Sequence, residues 1–110
     1  MSKKRVTGKE IQDGIAALAR MKGWKVAHFS PGRVGPKDSW ITNYAYDSKG
    51  FPDLLMLRAG RIVAIEVKGS GDSVSSAQLE WLNVLRDAGA QTFIVGPKEW
   101  ASGAVERLLA

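Results

Sequence analysis

At 110 residues with 45% hydrophobic content, the chain can bury one compact α/β core and has no room for two ordinary domains, so residues 1–110 are expected to form a single domain. It contains no cysteine, which excludes a disulfide scaffold, a thiolate zinc site, an iron–sulfur cluster and a cysteine nucleophile together. Sixteen Lys and Arg against eleven Asp and Glu give a net charge of +5, unevenly placed: residues 1–68 carry +7 and residues 69–110 carry −2. A polyanion such as DNA or RNA suits that asymmetry, although many basic proteins simply have solvated lysines. Apolar runs stop at about five residues, and Met1-Ser2-Lys3-Lys4-Arg5 leads into polar sequence rather than a signal-peptide core. The expectation is a soluble, cytoplasmic protein with no membrane partner.

Thr7-Gly8-Lys9-Glu10 has capping-box spacing, and Ile11, Ile15, Leu18 and Ala19 then recur on one helical face until Gly23. Trp24 to Phe29, short and rich in aromatic and β-branched residues, reads as a strand. Ser30 to Gly50 is irregular, broken by Pro31, Gly32, Gly35 and Pro36, with a further strand expected in residues 40–46 (Trp40 to Tyr46). Phe51 to Arg58 and Arg61 to Lys68 are apolar runs joined by Ala59-Gly60, the pattern of a β-hairpin. Because both runs are apolar on successive residues, the sheet is expected to be covered on both faces. Ser75 to Gly89 reads as a helix with Leu79, Leu82, Leu85 and Arg86 in register, Gln91 to Val95 as a last central strand, and Glu99 to Leu109 as a terminal helix.

The hairpin carries the sharpest chemical signal. With Ala59 and Gly60 as the turn, Leu57 faces Ile62 and Asp53 faces Glu66. Opposed like charges destabilise a sheet, and inside an apolar hairpin such a pair needs a shared proton or a cation. A Gly bulge at this non-ideal turn would shift the register by one residue and still leave the two acids as neighbours. Lys68 projects from the same strand face as Glu66. Two hard oxygen ligands beside an ammonium suit Mg²⁺ or Mn²⁺ and phosphodiester hydrolysis. The competing reading is an exposed Asp53 at a strand start and an ordinary Glu66–Lys68 surface pair.

Gly50-Phe51-Pro52-Asp53, Glu66-Val67-Lys68, Ser75-x-x-Gln78 and Trp81-Leu82-x-x-Leu85-Arg86-x-Ala88-Gly89-Ala90, in that order, resemble the VRR-NUC family, a branch of the PD-(D/E)xK nuclease superfamily. The resemblance runs from about Glu10 to Val95. It implies a restriction-endonuclease-like α/β fold, a central mixed sheet flanked by helices in the order α-β-β-β-α-β-α, and divalent-metal hydrolysis of DNA to 5′-phosphate and 3′-hydroxyl ends. Small stand-alone members look like phage or bacterial enzymes that form homodimers and cut four-way junctions. Carried onto this chain, the resemblance makes Asp53, Glu66 and the backbone carbonyl of Val67 metal ligands, Lys68 the catalytic lysine, and Gln78 a residue that orients an active-site group. It makes Glu10 a further acid that approaches the metal directly or through water. Glu10 and Gln78 both also sit at capping-box positions.

Other candidates carry less. His28, the one histidine, reads as structural in the absence of a second imidazole. Trp81 and Trp100 fall on helix faces and read as core. Arg33, Lys37, Trp40, Tyr44, Tyr46 and Lys49 mix cations with aromatics before the hairpin, which suits DNA contact, or equally an insertion that completes the sheet or a subunit interface. The leading expectation is a Mg²⁺- or Mn²⁺-dependent DNA endonuclease selective for branched DNA, such as a Holliday-junction resolvase in replication, recombination or repair, or a nuclease for flaps or duplex. A catalytically silent DNA-binding module of the same fold is the alternative; a sheet-based protein-interaction domain would leave the charge asymmetry and the paired acids unexplained.

Overall fold

The computed structural model describes residues 5–29 and 46–110. Its elements run α1 (Gly8–Met21), β1 (Lys25–His28), β2 (Leu54–Arg58), β3 (Arg61–Val67), α2 (Ser76–Asp87), β4 (Gln91–Val95), α3 (Pro97–Ala101) and α4 (Ala104–Leu108). The strands form one sheet in the order β1-β2-β3-β4, antiparallel across the first two pairings and parallel between β3 and β4. This is the mixed sheet flanked by helices expected of the restriction-endonuclease-like class.

α1 starts where its capping box requires: the Thr7 hydroxyl accepts the Glu10 N–H at 3.1 Å, and the Glu10 carboxylate accepts the Thr7 N–H at 3.4 Å. Ile11, Ile15 and Ala19 recur on one face and are fully buried against Leu54 and Met56 of β2 and Val63, Ile65 and Val67 of β3. Trp24, Val95, Val105 and Leu109 close this core. The Trp24 indole N–H donates to the Leu109 carbonyl at 3.1 Å, and the guanidinium groups of Arg58 and Arg61 lie 4.7 and 5.0 Å from its ring. The hairpin's mouth is thereby tied to the C-terminal segment. Among the described residues no helix is long and apolar enough to cross a membrane.

The hairpin register agrees with the sequence reading: Leu54 pairs with Ile65, Leu57 with Ile62 and Arg58 with Arg61, with no bulge. The turn between them has both central residues at positive φ, 49° at Ala59 and 80° at Gly60, the requirement of a type I′ turn. Ala59 is strained there, because an L side chain in the left-handed region costs about 1–2 kcal/mol. Replacing Ala59 with Asn, which tolerates that conformation, should stabilise the protein by about 1 kcal/mol and raise Tm by roughly 4 °C in a thermal melt. An unchanged or lower Tm would mean that the turn carries no such strain.

Three expectations change. The terminal helix is two short helices, because the chain turns at Ser102-Gly103, where Gly103 adopts φ 80°. β4 is an edge strand among the described residues, paired with β3 alone. The sheet is covered on both faces only at its acidic end. There Ala64 and Glu66 lie buried on the face that α2 covers, while Leu57 and Ile62, near the turn, stay 43% and 39% exposed. α2 packs over β4 and β3, and it buries Leu82 while leaving Leu79 exposed. The strand expected in residues 40–46 falls, but for Tyr46, outside the described residues; Tyr46 itself is fully exposed in a turn.

Candidate active site

Pleating decides which side chains meet. Glu66 and Lys68 alternate with Ile65 and Val67, so when the odd-numbered residues enter the core beneath α1, the even-numbered ones rise on the α2 side. Asp53 ends one residue short of β2. Its carbonyl accepts the Phe29 N–H at 2.9 Å, and its Oδ2 accepts the Val67 N–H at 2.8 Å, holding the carboxylate against the end of β3. The strict cross-strand pairing of Asp53 with Glu66 is therefore replaced by a closer tie through the side chain. Carrying the register two residues beyond the ladder sets Pro52 opposite Val67, and proline has no N–H to offer the Val67 carbonyl.

Glu66 is 2% exposed, an unusual position for a carboxylate. Its Oε2 accepts the Gln78 side-chain N–H at 3.1 Å and lies 3.4 Å from the Lys68 ammonium. Its Oε1 is buried without a hydrogen-bond partner. Burial, and then the negative charge of Asp53, push the Glu66 carboxyl from 4.5 up to about 7, against the lowering influence of Lys68. Among the described residues, a buried oxygen with no donor beside a second carboxylate calls for a shared proton or a cation.

Gln78 stands where both of its readings meet. As the third residue of α2 it completes a capping box, with its Oε1 accepting the Ser75 N–H at 2.8 Å and its own N–H donating to the Ser75 hydroxyl at 3.2 Å. The same Oε1 accepts a hydrogen bond from the Lys68 ammonium at 2.9 Å, while the Nε2 donates to Glu66. One amide thus starts the helix and spans the acid and the lysine. Gly50 makes room for this arrangement: at φ 85°, it lies so close to α2 that an added Cβ would meet the Ala77 backbone carbon at 2.6 Å.

The structure brings Asp53, Glu66, Lys68 and Gln78 together. Glu10 is exposed at the start of α1 with its carboxylate in the capping box, and among the described residues no three acids or imidazoles gather as a metal cluster. Arg33, Lys37, Trp40 and Tyr44 lie outside the described residues; Lys49 is exposed and lines a cleft of about 420 Å³ with Tyr46, Asp47 and Trp81. His28 is exposed in β1. Trp100 packs on the core as expected. Trp81 does not: it donates to the Asp47 carbonyl at 2.8 Å and ends an edge-to-face chain with Phe51 and Phe29, neighbouring rings 4.9 Å apart. Gly50 and Phe51 belong to the motif quoted from the sequence, though without these roles, and the residue missed there is Phe29, which the structure places opposite Asp53 by continuing the β1–β2 register by one residue.

Residues 35–97, more than half of the chain, match the model of the VRR-NUC domain family. The chain belongs to the VRR-NUC family. The matched span takes in Asp53, Glu66, Lys68 and Gln78 and excludes Glu10. Over 49 residues this VRR-NUC chain is also 41% identical to a Fanconi-associated nuclease 1 homolog of Caenorhabditis elegans, across 43% of the chain and 6% of that much longer protein. A nuclease domain is what the two comparisons share.

Proposed function

We propose that this VRR-NUC protein is a divalent-metal-dependent DNA endonuclease that hydrolyses phosphodiester bonds at the Asp53–Glu66–Lys68 site. The observation that carries the reading is the buried Oε1 of Glu66 beside Asp53, which when ionised finds no donor among the described residues and so fits a cation. Asp53, Glu66 and the Val67 carbonyl would hold Mg²⁺ or Mn²⁺, both of which favour one or two carboxylates completed by water and substrate oxygens. When bound, the ion would supply positive charge at the phosphate under attack.

The remaining work falls to the chain. Lys68, held by Gln78 and by Glu66, presents its ammonium to the phosphate and the attacking water, where it offsets the charge that builds up in the transition state. Gln78 keeps that ammonium from collapsing fully onto Glu66. Asp53 is immobilised by the Val67 N–H and needs no rearrangement before it acts as a ligand. Glu10 is not needed in this scheme.

For the substrate we infer branched DNA, four-way junctions above all, cut by a homodimer in recombination or repair. One site per chain cuts one strand, and a two-fold pair of chains supplies the two symmetry-related cuts that a four-way junction requires. The basic excess of residues 1–68 supplies the phosphate contacts, so binding should weaken steeply with salt. Incubating the purified protein with labelled junctions, flaps, nicked and plain duplexes, with chelator, Mg²⁺ or Mn²⁺, tests the scheme, with sedimentation giving the mass. Metal-dependent paired cuts in the junction by a dimer are expected. A monomer that cuts plain duplex equally well would reject the junction reading, and undiminished cleavage in chelator would reject the metal site.

A further inference from the structure

The Gln78 amide is useful only one way round. Its oxygen must face the Lys68 ammonium, a pure donor, and its nitrogen must face the Glu66 carboxylate, a pure acceptor when ionised. Turned over, the NH₂ would oppose Lys68 and the oxygen would oppose Glu66. A third group also bears on the choice: the backbone N–H of Ser75 donates to the same Gln78 oxygen at 2.8 Å. A backbone donor cannot rotate away or change its sign. It therefore repels the flipped amide whatever the protonation state or occupancy of the carboxylates.

We propose that Ser75 is a positioning residue for the Asp53–Glu66–Lys68 site, acting through Gln78. Its N–H fixes the orientation of the amide, and its hydroxyl, by accepting the Gln78 N–H at 3.2 Å, fixes the place where α2 begins and hence where the Gln78 side chain starts. Gln78 in turn holds the Lys68 ammonium 3.4 Å from Glu66 Oε2. The chain of contact is continuous from Ser75 to the acids, and Ser75 itself touches neither of them. The α2 cap and the reactive ammonium are thus a single hydrogen-bonded unit, in which the cap would otherwise be read as a stability device. The catalytic half of this inference rests on the nuclease reading; the ordering of the amide does not.

The two halves of Ser75 separate by substitution. Ser75→Ala removes the hydroxyl and keeps the N–H, whereas Ser75→Pro removes both, and its φ of −81° lies within proline's range. In metal-free wild-type protein, NMR relaxation should show the Gln78 Nε2 group as rigid as the backbone, with an order parameter of about 0.85. It should stay high in Ser75→Ala and fall below about 0.6 in Ser75→Pro. For cleavage, kcat should fall about threefold in Ser75→Ala and about tenfold in Ser75→Pro with KM unchanged, since an orienting hydrogen bond contributes on this scale. Adding Gln78→Ala to Ser75→Pro should change kcat no further, although Gln78→Ala alone lowers it as much. If Ser75→Pro fails to fold, wild type still decides: an Nε2 order parameter below about 0.6 there would overturn the proposal. So would full additivity of the two substitutions, or kcat unaltered in a folded Ser75→Pro. A high Nε2 order parameter that falls in Ser75→Pro, in a protein that cuts no DNA, would uphold the positioning role and overturn the nuclease reading alone.

Discussion

Glu66→Gln should slow DNA cleavage at least about a hundredfold without unfolding the protein, and Asp53→Asn and Lys68→Ala should do the same. Loss of a principal electrostatic stabiliser costs about 10²–10³ in rate, or roughly 3–4 kcal/mol of transition-state energy. Each substitution removes one element of the charge pattern and little of the packing. Glutamine at 66 keeps the volume of a side chain that is 2% exposed, and asparagine at 53 retains an oxygen able to accept the Val67 N–H. Alanine at 68 leaves Gln78 bonded to both Ser75 and Glu66. The three losses should be far from additive, because the groups act as one unit. Single-turnover rates at saturating metal give the measurement, with circular dichroism confirming the fold. Wild-type cleavage by Glu66→Gln would remove the site assignment altogether.

Much of this site was legible in the residues because it sits on a hairpin. A two-residue turn fixes the register, the register fixes which residues lie side by side, and period-two alternation puts Lys68 on the face of Glu66. Nothing beyond local chemistry was needed to bring Asp53 and Glu66 together. Gln78 was harder, since its spacing from Ser75 is satisfied by a cap alone, and only the packing of α2 over β3 shows the amide reaching the acids as well. Glu10 has the same capping-box spacing and takes up that capping role, while its approach to a metal rests on the family resemblance alone.

The misreadings share a physical cause. Trp100 and Trp81 present similar apolar stripes, yet one enters the core and the other joins Phe51 and Phe29 beside the acids. Periodicity reports a face and not what the face meets. Likewise Leu57 and Ile62 have the composition of a doubly covered sheet, but coverage depends on where α2 lies, and it packs mainly over β4. The break at Gly103 lay in plain sight as a glycine inside a helical pattern, where the apolar spacing of Trp100, Ala104, Val105 and Leu108 outweighed it.

In chelator, Glu66 should make the protein less stable as pH rises, and Glu66→Gln should abolish that loss. The folded-state pKa of about 7 lies above the ordinary 4.5, so below pH 4.5 the carboxyl is neutral in both states and adds no penalty. Between 4.5 and 7 the unfolded chain ionises first, and the folded state loses stability relative to it; above 7 the penalty levels off. The size follows from about 1.4 kcal/mol per unit of pKa, giving about 3 kcal/mol at pH 8. The difference between wild type and variant isolates Glu66 together with its coupling to Asp53. Thermal melts should therefore show the two proteins alike near pH 4.5 and the variant more stable by about 10 °C or more at pH 8. Added Mg²⁺ or Mn²⁺ should raise Tm of the wild type at pH 8 and leave Glu66→Gln unmoved, since an ion that binds only the folded state stabilises it by mass action. A difference between the two proteins that stays flat with pH would show that Glu66 is not held in the high-pKa environment described. A variant less stable than wild type at pH 8 would show instead that its bonds to Gln78 and Lys68 outweigh burial and the Asp53 charge.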